Sequence, residues 1–113
     1  MRIPIFITVL ALLLSGAGTG AAQKTKPRKP VTHTVTMDAT SFVPATITVA
    51  PGDSVVWTNK DVIPHTATSK TSGVFDTGTL ASGKSWKGTF KSRGQFPYVC
   101  QLHPTMKGSL IVK

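Results

Sequence analysis

Apolar and polar positions alternate through most of the chain from Val31 onward. Val31, His33, Val35 and Met37 fall on one side of an extended segment and Thr32, Thr34 and Thr36 on the other, which predicts a half-buried strand. Ile47 and Val49 repeat the period of two, and Val55 and Trp57 share one face of the strand after them. Between these, Ala50-Pro51-Gly52-Asp53 reads as a tight turn, with Pro setting the second position and Gly accepting the third. Asn59-Lys60-Asp61 ends the strand. From Thr66 to Lys84 the only large apolar residues are Val74, Phe75 and Leu80, so a short strand between loops is expected there. Trp86 and Phe90 lie on one face around Gly88, opposite Lys87 and Lys91, and Ser92-Arg93-Gly94 turns the chain. Phe96, Tyr98 and Cys100 share the core side of the penultimate strand, and Leu110 to Val112 forms the last. No segment has helical periodicity. Short strands separated by Gly, Pro and Asn turns predict an all-β sandwich.

The first 30 residues break this pattern. Met1 to Ala22 reads as a secretory signal: Arg2, an apolar run from Ile3 to Leu14, then the small residues Ser15 to Ala22, with cleavage expected after Ala22. Twelve apolar residues fall short of the ~20 that a spanning helix needs. Residues 23–30 carry Lys24, Lys26, Arg28 and Lys29 with Pro27 and Pro30, a composition that predicts a basic, flexible arm. Residues 31–113 then form one domain, working in the periplasm or outside the cell.

Charge and cysteine usage narrow the chemistry. Thirteen Lys and Arg oppose four acidic residues, none of them Glu, giving a formal net charge of +9. The single Cys cannot close an internal disulfide, so packing and any bound metal must hold the fold. That Cys begins the run Cys100-Gln101-Leu102-His103-Pro104-Thr105-Met106, in which thiolate, imidazole and thioether recur at steps of three. Alone, a Cys is commonly a small buried hydrophobe, a Met a core filler and a His beside Pro a turn residue. Together, and joined by His65 upstream, they suit a soft metal, and two His with one Cys and a weak Met describe an electron-transfer copper site. Zinc favours carboxylates over a thioether, and haem attachment needs C-x-x-C-H. His33, on a strand face, reads instead as a residue satisfied by a neighbour or by water.

The C-x-x-H-x-x-M run, preceded by Phe96-Pro97-Tyr98-Val99 and followed by Lys107-Gly108-Ser109-Leu110-Ile111-Val112, resembles the cupredoxins. The two-residue gaps on either side of His103 are similar to the short ligand loop of the amicyanins. Gly52 to Asp61 and Pro64-His65-Thr66 resemble the segment that supplies the first His in the plastocyanin, pseudoazurin and amicyanin group. The resemblance implies a Greek-key cupredoxin sandwich holding one type 1 copper ion through His65, Cys100, His103 and Met106, the last three on a single loop. It also implies that Asn59, equally compatible with a plain turn Asn, ties the two ligand-bearing segments together, that the Thr66 amide donates to the Cys100 sulfur, and that Leu102 and Pro104 belong to an apolar patch around His103.

The function implied is that of a small exported blue copper protein, a one-electron carrier and not an enzyme; the alternative is a periplasmic protein that buffers or delivers copper. A monomer is expected, with an acidic redox protein as donor and acceptor and a weak contact with an anionic membrane surface. Few aromatics and the lack of a binding motif speak against nucleic acid as a partner.

Overall fold

The computed structural model describes residues 28–113, in which every regular element is a strand. The expected signal segment and residues 23–27 of the arm lie outside the described residues. Eight strands follow in order: β1 (Thr32–Asp38), β2 (Ser41–Val43), β3 (Thr46–Val49), β4 (Ser54–Asn59), β5 (Thr68–Ser69), β6 (Ser85–Thr89), β7 (Gly94–Cys100) and β8 (His103–Val112). They form two four-stranded sheets, ordered β2-β1-β4-β6 and β3-β8-β7-β5. Each sheet is mixed, because β1 runs parallel to β4 and β3 parallel to β8. The predicted all-β sandwich is the fold observed.

Alternation determines which faces meet. Val35, Met37, Val55 and Trp57 of the first sheet are buried, as are Ile47, Val49, Tyr98, Cys100, Leu110 and Val112 of the second, and these side chains form one core. Trp57 is its centre, stacking on Phe75 at 4.9 Å and meeting Tyr98 edge-on at 5.6 Å. The sparse segment between Thr66 and Lys84 yields a strand of two residues, as anticipated, but its Phe75 and Leu80 are buried and cap the core beside Trp57. The last strand is much longer than the segment 110–112. It starts at His103, since Cys100 pairs with His103 across the two residues Gln101-Leu102, leaving no wide loop between β7 and β8.

The turn at 50–53 forms as predicted. The Asp53 amide donates to the Ala50 carbonyl at 3.0 Å, and Gly52 takes the left-handed φ of +93° that a side chain would resist. Asp53 itself is buried and gathers the start of the domain. Its carboxylate accepts from the Val31 amide at 2.9 Å, the Ala50 amide at 3.1 Å and the Arg28 guanidinium at 2.6 Å, and lies 2.9 Å from His33 Nε2. His33 is therefore satisfied by a neighbour, and Arg28 is the residue at which the arm joins the sandwich.

The Val31 amide, then the His33 ring, hold the Asp53 carboxyl far below the ordinary carboxylate range, despite its burial. A depressed folded-state pKa contributes stability above the ordinary value of about 4, and this contribution is lost as pH falls below it. Asp53→Asn should therefore lower Tm at pH 7, and the gap to the parent chain should narrow steadily below about pH 4. Thermal melts from pH 7 to pH 2.5 read this directly; an unchanged gap would show that the carboxylate charge is not what the cluster needs.

Candidate metal centre

At one pole of the sandwich three donor atoms converge. Cys100, fully buried at the end of β7, places its Sγ 3.7 Å from Nδ1 of His65 and 3.7 Å from Nδ1 of His103. The three atoms lie within 4.8 Å of one another, and the two imidazoles meet at 4.9 Å between centroids with planes 59° apart. Bonds of about 2.1 and 2.3 Å opening at a trigonal angle span about 3.8 Å, so the two sulfur–nitrogen edges match what one first-row metal ion bound by nitrogen and sulfur requires. Met106 follows on β8, buried at 3% exposure within the same core cluster as Cys100. His65 is fully buried and His103 half-buried, so one imidazole faces the protein and the other reaches solvent.

His65 is placed by the loop after β4. Asn59, fully buried, donates from Nδ2 to the carbonyls of Ile63 (2.8 Å) and Leu80 (2.9 Å) and accepts the Asp61 amide at 2.9 Å. A backbone bridge to Leu80 fixes His65 on the other side, with hydrogen bonds of 3.1 and 2.8 Å. Asn59 thus braces the loop of the first His against Leu80 and acts as a turn Asn through the Asp61 amide; the tie to the Cys100 segment that the resemblance implied is not formed. The tie between the two ligand-bearing segments is Thr66. Its amide donates to Cys100 Sγ at 3.3 Å, as the resemblance implied, and its hydroxyl accepts the Gln101 amide at 2.9 Å.

One supporting residue escaped the sequence reading. Asp61 Oδ2 lies 2.9 Å from His65 Nε2 and also accepts the Thr40 amide at 3.0 Å. A carboxylate only accepts, so Nε2 of His65 carries the proton and the Nδ1 lone pair faces the sulfur. Ala39 and Thr40 form the two-residue turn between β1 and β2 with φ of 46° and 58°, a conformation that favours Gly or Asn. The strained turn is held against the same carboxylate that orients His65. In the sequence Asp61 looked only like the end of a strand; the available signal was its place four residues before a ligand His.

The electrostatics prepare the thiol. Burial alone would push the Cys100 thiol up, but the Thr66 amide, then His103 and His65, prevail and bring it down to about 7. The thiolate is the metal-binding form, so the site favours a ligand state before metal arrives. Burial opposes charge on His65, yet Asp61 and the sulfur raise its pKa overall. Asp61, hydrogen-bonded by His65 and the Thr40 amide, is lowered to about 2 and stays ionised across the working range.

Residues 5–112 match the family model described as a cupredoxin-like domain. The chain belongs to the cupredoxins. Amicyanin of Paracoccus versutus is 28% identical over 123 residues, covering 95% of this chain and 92% of that protein. Among solved structures, a purple cupredoxin from Nitrosopumilus maritimus superposes with a TM-score of 0.67 at 23% identity over 72% of this chain and 99% of the other. The copper-containing nitrite reductase of Thermus scotoductus is similar at a TM-score of 0.69 and 30% identity, over 82% of this chain but 25% of its own. Copper, in a type 1 site, is the metal that family and donor set agree on.

Proposed function

We propose that this cupredoxin is an exported one-electron carrier whose single copper ion is held by His65, Cys100, His103 and Met106. The observation that carries the reading is the triangle of one thiol and two Nδ1 atoms, preassembled by hydrogen bonds that Thr66 and Asn59 donate and Asp61 accepts. Copper bound there supplies a one-electron change between Cu(II) and Cu(I). The chain's own contribution is to keep the donors from moving: His65 is held by Asp61 at Nε2 and by the backbone bridge to Leu80, Cys100 lies at a strand end, and Met106 is fixed within β8. A site that barely rearranges exchanges electrons with little reorganisation. His103, half-buried, is the ligand nearest a partner, with Leu102 exposed at 50% and Pro104 beside it. Val62 and Ile63, exposed in the loop before His65, widen the apolar surface at this pole.

The likeness to nitrite reductase spans a quarter of that enzyme and supports a shared sandwich, so we assign this chain no catalytic activity. A redox protein is the partner proposed, acidic in keeping with the net charge of +9. The apolar run from Ile3 to Leu14 supports export. Titration with Cu(II) tests the reading: one ion per chain, an intense visible band and a reversible couple with copper retained on reduction are expected. Ready loss of Cu(I) to a chelator of moderate affinity would instead indicate a protein that delivers copper.

A further inference from the structure

The positive charge of this molecule is concentrated at the pole opposite the donor triangle. Strand register shows where that pole lies. Thr32 pairs with Ser54, Ser54 with Thr89, Gly94 with Val112 and Val112 with Val49, so residues 28–31, 50–53, 90–94 and 112–113 meet at one end. Backbone hydrogen bonds from Gly52 to Phe90, Ser54 to Val31 and Lys113 to Val49 close that end. It carries Lys29, Lys91, Arg93 and Lys113, all exposed, besides Arg28 paired with Asp53. Among the described residues no Asp or Glu other than the buried Asp53 is present there, and none of the four exposed cations forms an ion pair. At the metal end the charges are mixed: Lys60, Lys84 and Lys107 stand with Asp38, Asp61 and Asp76.

We infer that this basic pole is a docking surface for an anionic lipid bilayer, turning the donor triangle away from the membrane. Two arguments favour a bilayer over a redox protein or a nucleic acid. β7 runs seven residues from this pole to Cys100, about 20 Å, and electron tunnelling decays steeply with distance, so a redox partner gains nothing by docking here. The export proposed above takes the chain away from nucleic acid. Lys24 and Lys26, immediately before Arg28 in sequence, add charge of the same sign. The surface needs no metal, so it stands or falls separately from the copper reading.

Charge-matched variants of the full chain test this on vesicles of phosphatidylcholine with and without 30% phosphatidylserine. The parent chain should prefer the anionic vesicles, and salt should weaken the preference. A basic residue at such a surface contributes about fivefold in partitioning, so Lys91→Gln/Arg93→Gln/Lys113→Gln should lower binding about 100-fold. Lys60→Gln/Lys84→Gln/Lys107→Gln, with the same net charge, should lower it less than about tenfold. Equal losses in the two triples would mean that net charge alone governs binding and overturn the assignment. Undiminished binding in both would place it in the preceding arm and also overturn it. A parent chain that ignores phosphatidylserine yet binds an acidic protein or RNA through the same three residues would make the pole a surface for that polyanion, not for a membrane.

Discussion

Cys100→Ser should abolish the intense visible absorption of the Cu(II)-loaded protein while leaving the sandwich folded. The band requires a sulfur donor strongly coupled to the metal, and Cys100 is the only thiol in the chain. Serine is similar in size, so the 3.7 Å edges to the two imidazoles need not change much. Its hydroxyl, however, is a hard, weakly acidic donor that does not replace a thiolate already brought down to about 7 by the Thr66 amide and the two His. Weak Cu(II) binding through His65 and His103 should persist, seen as copper retained on gel filtration without the colour. Met106→Gln in the same experiment should keep an intense band and lower the reduction potential, because an oxygen donor in the weak axial place favours Cu(II). Retention of the full band in Cys100→Ser, or its complete loss in Met106→Gln, would overturn the ligand assignment.

The residues of the metal centre were easier to read than the bonds that hold them. Cys100, His103 and Met106 stand at fixed steps of three, and His65 follows a segment with its own resemblance, so local sequence offered four candidate ligands, of which the structure brings His65, Cys100 and His103 together. Alternation placed Val35, Met37, Val55, Trp57 and Tyr98 inside because one face of each strand is buried, and a period of two needs no knowledge of the partner strand. Asp61, Thr66 Oγ1 and the turn at Ala39-Thr40 could not be read this way. Their roles depend on β1, the loop after β4 and the end of β7 meeting in space, over separations of 21 residues for Thr40 with Asp61 and 35 for Gln101 with Thr66. Asn59 shows the same limit from the other side: sequence left it either a turn Asn or a tie between the ligand-bearing segments, and the bond to Leu80, 21 residues away, could not be read from its neighbours. Pairing order was equally hidden, since alternation reveals a buried face but not that β1 lies parallel to β4.

Gly108→Ala should be among the most destabilising single methyl additions in this domain, although no positive φ is involved. A Cβ at Gly108 would stand 2.5 Å from the Tyr98 hydroxyl oxygen and closer still to the ring carbon that bears it, far inside contact distance. Gly108 pairs with Tyr98 across β7 and β8, so the ring lies directly over the glycine. Tyr98 cannot yield. It is fully buried, packed edge-on against Phe42 at 4.7 Å and Trp57 at 5.6 Å, and its burial pushes the phenol up to about 12. Overpacking of this kind typically costs 1–3 kcal/mol, and with two aromatic neighbours behind the ring the upper end, about 3 kcal/mol, applies. For a domain of this size that corresponds to a Tm lower by roughly 12–24 °C. Gly73→Ala provides the contrast, because a Cβ there meets nothing within 4 Å and only the left-handed φ of +82° resists it. That backbone cost is about 1–2 kcal/mol, or roughly 4–16 °C. Because Tyr98 is two residues before Cys100 on the same face of β7, Gly108→Ala should also shift the visible band of the copper-loaded protein, which Gly73→Ala should leave in place. A Gly108→Ala chain that melts within a few degrees of the parent would show that the ring moves aside freely and that the core beneath the metal centre is looser than its packing implies.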